Sequence, residues 1–144
     1  MATKKSSVLR LAEVNHLLTQ LSDNAKPLTL KKVNEEILKQ KNFVLLFYCD
    51  GDKKSGILMG MGSIYFIKTL TGFKGYIEDV VVDKMCRGLG LGERITRDLI
   101  RIAKKRRAEW IDLTSSPKRE AANALYKKLG FQKKATNFYR LMLK

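Results

Sequence analysis

Val80-Val81-Val82-Asp83-Lys84-Met85-Cys86-Arg87-Gly88-Leu89-Gly90-Leu91-Gly92 carries most of the fold and most of the chemistry of this chain. An apolar β-branched run enters glycines at alternate positions, and a helical stripe begins at once: Leu91, Ile95, Leu99, Ile102 and Ala103. Glycines this close together let the backbone turn tightly and aim successive N–H groups at one point. The first turn of the helix adds unpaired donors and the positive end of its dipole, so the segment is an anion cradle suited to a diphosphate. Arg87 at its lip can add a charge-assisted contact. The spacing excludes two familiar nucleotide loops. Gly-x-Gly-x-x-Gly fails because Glu93 or Ile95 occupies its last position, and a Walker A loop fails because Glu93-Arg94 follows Gly92.

Outward from this stretch, the pattern on the N-terminal side is two helices followed by strands. Val8, Leu11, Val14, Leu17, Leu18 and Leu21 recur at helical spacing, and Ser22-Asp23-Asn24 with Pro27 closes that helix. A second helix is expected from an N-cap at Thr29, with Leu30, Val33, Ile37 and Leu38 on one face. Phe43 to Cys49 reads as a strand, Asp50-Gly51-Asp52 as a turn, Gly56 to Leu70 as a β-rich segment, Gly72 to Gly75 as a turn, and Tyr76 to Val82 as a strand. On the C-terminal side, Lys104 to Arg107 closes the helix and Trp110 to Thr114 forms a strand. Ala122, Leu125, Tyr126 and Leu129 stripe a short helix ended by Gly130, with Phe131 packing back on it. Asn137 to Leu143 is expected to be a last strand. A meander that becomes βαβ predicts an α/β fold with a mixed sheet and helices on both faces. With no repeat and no linker, residues 1–144 are expected to form a single domain.

The chain has 144 residues, 44% hydrophobic and 30% charged, as expected for a globular protein with its own core. Cys49 and Cys86 are too few for a disulfide framework or a cysteine-rich zinc site, and His16 is the single histidine, so no metal is expected. No apolar run approaches the roughly 18 residues of a membrane helix, and Glu13, Asn15 and His16 interrupt any signal-peptide core. A cytoplasmic location is the expectation. Lys and Arg number 29 against 14 Asp and Glu, a net +15, and such a field attracts polyanions without saying which.

Arg87, Gly90 and Gly92 spell Arg-x-x-Gly-x-Gly, and Ala122, Leu125, Tyr126, Gly130 and Phe131 spell Ala-x-x-Leu-Tyr-x-x-x-Gly-Phe. Both motifs, in this order across Ile77 to Arg140, resemble the GNAT superfamily of N-acetyltransferases. The resemblance implies acetyl-CoA as cosubstrate and an amine as acceptor. Val80, Val81 and Val82 would meet the pantetheine arm, and Arg87, Gly88, Leu89, Gly90, Leu91 and Gly92 the pyrophosphate. Tyr126 would be the general acid that protonates the departing thiolate, and a backbone N–H near Val80 would polarise the carbonyl. The family usually starts with a strand, which the short polar Ala2 to Ser7 leaves short or missing. Where the second motif often has Asn, this chain has Arg119, with Asn123 one turn away; both are candidate cofactor contacts. Glu93 after the last glycine must point away from a pyrophosphate.

A protonated amine needs a base before it can attack, directly or through water. Glu78 and Asp79 are the candidates, and strict alternation lets only one reach the cleft. Glu78 is favoured because it is two residues from Val80. The acceptor stays open between a small molecule and a protein amine. Ile77 to Asp83 resembles the corresponding stretch of glucosamine 6-phosphate acetyltransferases, which would suit a basic protein. The alternative from another class is a basic nucleic-acid-associated protein that keeps the fold for nonspecific binding, resting on Lys104 to Arg107, Lys127-Lys128 and Lys133-Lys134. The apolar stretch from Thr136 to Leu143 also leaves room for a homodimer.

Overall fold

A computed structural model describes residues 10–52 and 56–144. The short or missing N-terminal strand expected at Ala2 to Ser7, and Val8 of the first stripe, lie outside the described residues. The chain divides into two compact units, Met1–Thr114 and Ser115–Lys144.

In the first unit, α1 (Leu11–Leu21) buries Val14 and Leu17 and ends where Ser22 takes an extended backbone. Asn15 then clamps the returning chain, accepting from the Leu28 N–H at 2.8 Å and donating to the Leu28 carbonyl at 3.1 Å. The expected second α-helix is instead a short π-helical segment, Lys32–Ile37, closed by Leu38 N–H to Val33 carbonyl at 2.9 Å. Thr29 does cap it, its hydroxyl accepting from the Lys32 N–H at 3.2 Å. The wider turn removes the 3.6-residue spacing that would align the stripe. Val33 is buried, whereas Leu30 and Leu38 are 55% and 43% exposed.

The sheet has the order β1-β2-β3-β4, with β1 Phe43–Cys49, β2 Leu58–Thr69, β3 Gly72–Val82 and β4 Trp110–Asp112. The first three strands form an antiparallel meander, and β4 returns parallel to β3 after the crossover helix α2, Leu91–Lys105. The mixed sheet is therefore as expected, with β4 shorter than Trp110 to Thr114. One turn is misplaced in the sequence reading. Thr69 pairs with Gly72, so the hairpin turns on Leu70-Thr71, and Gly72 to Gly75 already belongs to β3. The Thr69 hydroxyl holds that turn, donating to the Gly72 carbonyl at 3.0 Å. The glycines serve close packing instead: a Cβ at Gly75 would stand 2.7 Å from Ile64 Cδ1.

Helices cover both faces, as the pattern required. On one face, Val14 and Leu17 of α1 cluster with Leu58, Met61 and Val81. On the other lie Ile95, Leu99 and Ala103 of α2, all 1% exposed or less. Gly62 lets α2 approach, because a Cβ there would be 2.6 Å from Ile95 Cγ2. Burying the larger of these chains, Val14, Leu17, Ile95 and Leu99 among them, contributes about 1.5–3 kcal/mol each.

The second unit holds α3 (Glu120–Lys128). Gly130, at φ +93°, ends it in a Schellman arrangement: its N–H reaches the Lys127 carbonyl at 3.0 Å, and the Phe131 N–H reaches the Tyr126 carbonyl at 2.9 Å. The rings of Tyr126 and Phe131 meet edge to face at 5.8 Å, so Phe131 packs back as expected. The strand expected at Asn137 to Leu143 is absent; residues 132–144 are without helix or strand, and 136–144 are exposed. A strand requires a hydrogen-bonded neighbour, and this segment joins none of the strands of the sheet.

Candidate active site

The glycine turn is built as an open backbone cradle. β3 ends at Val82, and Asp83 folds the chain into a short 3-10 turn, Lys84–Cys86, by accepting from the Met85 N–H at 2.8 Å. Gly88 and Gly90 follow at φ +82° and +76°. A Cβ at either would meet nothing within 4 Å, so the glycines serve backbone conformation and leave the space over the turn open. Gly90 is the N-cap of α2 and no side chain caps it, so the first-turn donors and the dipole face that space. Glu93 is drawn along the helix by Arg97, whose Nη2 is 2.8 Å from its Oε1. Arg87 is exposed and donates its Nε–H to the Val82 carbonyl at 3.1 Å, and Leu89 is exposed beside it. This donor set fits an anion with several oxygens.

A helix remote in sequence positions the turn, and nothing in the sequence reading had pointed to it. The Gln20 side chain, on α1, accepts from the Lys84 N–H at 2.8 Å and donates to Asp83 Oδ2 at 3.1 Å. His16 stands with its Nε2 3.3 Å from the same oxygen. The Met85 N–H above all, and then Gln20, hold the Asp83 carboxyl below the usual carboxylate range. His16 thus serves the loop rather than standing isolated on α1. The missed signal is the polar pair His16 and Gln20 at i, i+4 on one side of α1.

The edge of β3 is open where the glycine turn begins. β4 pairs only with Lys74, Gly75 and Tyr76, so β3 runs on from Ile77 to Val82 without a ladder partner on that side among the described residues. Opposite the same stretch lies a bulge. Met61 pairs with Val81 and Ser63 with Glu78, so Asp79 and Val80 together face the single residue Gly62. Asp79 takes φ +53° to make this possible.

The bulge corrects the argument for Glu78. Val80 lies on the α2 face, its Cγ2 3.4 Å from a Cβ placed on Gly62. Glu78 is cross-strand from Ser63 on the α1 face, so the two do not share a face. Nor is Asp79 turned away: its Oδ2 is 3.4 Å from the Ser63 hydroxyl, which also donates to the Glu78 carbonyl at 3.0 Å. Both carboxylates therefore lie toward the side that Ser63 occupies. Desolvation raises the Asp79 pKa, with the Ser63 hydrogen bond opposing in part. The Tyr65 pKa is also raised, by burial first and then by the Asp79 charge. Ser63, fully buried, and Tyr65 thus stand beside the two carboxylates, and sequence reasoning named neither.

Among the expected residues, Glu78, Val80, Val81, Val82, Arg87, Gly88, Leu89, Gly90, Leu91 and Gly92 fall on the end of β3, the turn and the start of α2. Arg119, Asn123 and Tyr126 belong to the second unit. There Arg119 is the N-cap of α3, and the Asn123 amide donates to the Ser116 carbonyl at 2.9 Å. Tyr126 is 8% exposed, and burial raises its pKa while the Arg119 charge works against the rise. Such a phenol keeps its proton at neutral pH. Among the described residues, no group of three or more His, Cys, Asp or Glu could hold a metal ion, and no helix is long and apolar enough to cross a membrane.

Comparison with known proteins identifies the family. Residues 11–131 match the model of the acetyltransferase (GNAT) family. Glucosamine 6-phosphate N-acetyltransferase 1 of rice, Oryza sativa subsp. japonica, is 33% identical over 136 residues, covering 88% of this chain and 79% of the rice protein. Thialysine N-epsilon-acetyltransferase of Mus musculus is 28% identical over 131 residues, covering 83% and 77%. A crystal structure of a Trypanosoma brucei acetyltransferase superposes with a TM-score of 0.76 at 30% identity, covering 92% of each chain. The chain belongs to the GNAT family of acetyltransferases and is an enzyme that transfers an acetyl group to an amine.

Proposed function

We propose that this enzyme takes its acetyl group from acetyl-CoA bound at the glycine turn and delivers it to a phosphorylated amino sugar. The observation that carries the first half is the turn itself: left-handed Gly88 and Gly90 under open space, running into an α2 N-terminus that no side chain caps. Arg87 and the backbone from Gly88 to Gly92 would hold the pyrophosphate, and the unpaired edge of β3 at Val80 to Val82 the pantetheine arm. Arg119 and Asn123 remain candidate contacts on α3. The acceptor reading is supported by the rice relative's named substrate and by the net charge of +15, which favours an anionic acceptor over a polycationic one. Residues 1–144 are read as one acetyltransferase domain, since the family match runs through both units. Two free cysteines accord with the cytoplasm. A homodimer would give the exposed Phe138, Leu141, Met142 and Leu143 a partner in a second copy.

Bound acetyl-CoA supplies an activated acyl carbon as a thioester. The chain's own residues then manage protons. Glu78 or Asp79 takes the proton from the acceptor ammonium, directly or through water, and the raised Asp79 pKa brings that carboxylate closer to the working pH. The bulge leaves an extra residue outside the ladder, freeing a backbone N–H near Val80 to meet the developing oxyanion. The phenol of Tyr126 would supply the proton that the departing thiolate takes up, the role the family resemblance implies for it. Calorimetric titration of CoA into wild type and Gly90→Trp at two salt concentrations tests the cofactor site. Binding by wild type that the tryptophan abolishes supports it, and no binding at low salt refutes it. A panel of glucosamine 6-phosphate, thialysine and lysine tests the acceptor, and turnover of thialysine or lysine but not the sugar phosphate would overturn that part.

A further inference from the structure

The exposed side of α2 is a ridge of cations that acetyl transfer does not use. Ile95, Thr96, Leu99 and Ala103 face the sheet, and at about 100° per residue the opposite side carries Arg94, Arg97, Arg101, Lys104 and Lys105, all exposed. Arg107 continues it past the helix end. Arg106 turns away, its guanidinium stacked 4.5 Å from the Phe66 ring centroid, and it donates to the Lys41 carbonyl, which brings the exposed Lys41 beside the same end. The acids nearby lie on the flanks of the ridge. Glu93 pairs with Arg97 and Asp98 with Arg101, while Glu109 accepts from the Phe73 N–H. Even so, Arg97–Arg101 and Arg101–Lys105 are like-charge pairs at i, i+4, each destabilising by about 0.2–0.5 kcal/mol.

We infer that this ridge docks the protein on the phosphate backbone of duplex nucleic acid, without reading sequence. From Arg97 to Lys105 it spans about 12 Å of straight charge, enough to follow several phosphates. None of the exposed large apolar side chains lies between Gly90 and Glu109. Along α2 itself the ridge therefore offers charge alone, with no apolar wedge of the kind that enters a lipid surface and no aromatic of the kind on which unpaired bases stack. Its basic end stands about 20 Å along the helix from Gly90, so docking there leaves the acetyl-CoA cradle clear. The inference stands apart from the proposed acceptor: a tethered enzyme keeps its small-molecule chemistry.

The test is fluorescence anisotropy with labelled 20-base-pair DNA and RNA duplexes, the matching single strands, and vesicles containing anionic lipid, between 50 and 200 mM salt. Wild type should prefer duplex, with affinity falling steeply with salt. R101Q/K104Q/K105Q/R107Q should weaken duplex binding by at least tenfold and reduce the slope of log K against log salt by about 3–4, with CoA binding unchanged. K127Q/K128Q/K133Q/K134Q removes the same charge elsewhere and should change little. Should the ridge variant fold poorly, duplex protection of Lys104 and Lys105 from amine-reactive labelling in wild type gives the same answer. Equal losses in both variants, preference for single strands or vesicles, or no duplex binding at 150 mM salt would each overturn the inference.

Discussion

Replacing Gly90 by alanine separates what the glycine turn contributes to folding from what it contributes to the cofactor. At φ +76° an L-residue costs about 1–2 kcal/mol more than in the right-handed region. The new Cβ meets nothing within 4 Å, so no clash adds to that figure. If the empty turn holds its shape, the whole cost falls on folding and lowers Tm by about 3–8 °C. If the empty turn relaxes, folding is spared and CoA must restore the strained backbone, weakening binding by about 5–30-fold. The losses in stability and affinity should therefore sum to about 1–2 kcal/mol, or more where the methyl enters the phosphate space. Gly75→Ala is the counterpart. Its Cβ lands 2.7 Å from the Cδ1 of Ile64, which is fully buried, so overpacking should cost about 1–3 kcal/mol of stability and leave CoA affinity alone. Thermal unfolding and CoA calorimetry on the three proteins decide the matter. A Gly90→Ala protein equal to wild type in both measurements would refute the reasoning, as would a Gly75→Ala protein that loses as much CoA affinity as Gly90→Ala.

The remaining expectations concern protons and the loop. A base must be ionised to act, so turnover should fall as pH drops through the raised Asp79 pKa, and Glu78→Gln or Asp79→Asn, whichever removes the base, should cut kcat by about 10²–10⁴. If both variants keep wild-type turnover across the pH range, neither carboxylate is the base. The folded chain also holds the Asp79 proton where the unfolded chain has released it. Stability should thus decline as pH rises from the ordinary carboxylate value of 3.8 through the raised one, and Asp79→Asn should flatten that slope in urea titrations. Tyr126→Phe preserves the edge-to-face contact with Phe131, so Tm should hold while kcat drops by about 10²-fold or more; an undiminished kcat removes Tyr126 as the acid. Gln20→Ala strips the support from the Lys84 N–H and Asp83, and should raise KM for acetyl-CoA more than it lowers kcat, as should Gln20→Glu, which keeps the acceptor oxygen but sets a second carboxylate against Asp83. A fall in kcat alone, or no change, would show that α1 does not position the turn.

What was legible in the sequence was what depends on local periodicity and on residues with narrow backbone roles. The α2 stripe, the tight turn at Gly88 and Gly90, the stop of α3 at Gly130, and the strand Phe43–Cys49 all follow from spacing and glycine chemistry, and all stand as read. Where reading failed, a non-local partner decided the outcome. Gly72 and Gly75 look like turn residues, yet they sit in β3 because Ile64 and the Trp110 ring crowd their faces. Leu141 and its neighbours look like a strand, yet a strand is a property of a pair, and none of the described strands pairs with them.

The site shows the same division more sharply. The cradle for the anion is local, and its residues could be named from one stretch of chain. The proton chemistry is not local, because it depends on how β3 registers against β2. Alternation along β3 placed Glu78 with Val80 and set Asp79 aside, which is correct for an uninterrupted strand. One extra residue opposite Gly62 reverses the relation, puts Val80 on the other face from Glu78, and brings both carboxylates toward Ser63. No rule of composition marks that bulge, since Asp79 is not a glycine and adopts its positive φ only because the ladder on either side is pinned at Val81 and Glu78. Under the proposed mechanism the bulge would therefore set which acid meets the amine and free a backbone donor beside it. A change at Gly62 or Ser63, remote from any catalytic motif, should disturb both functions together.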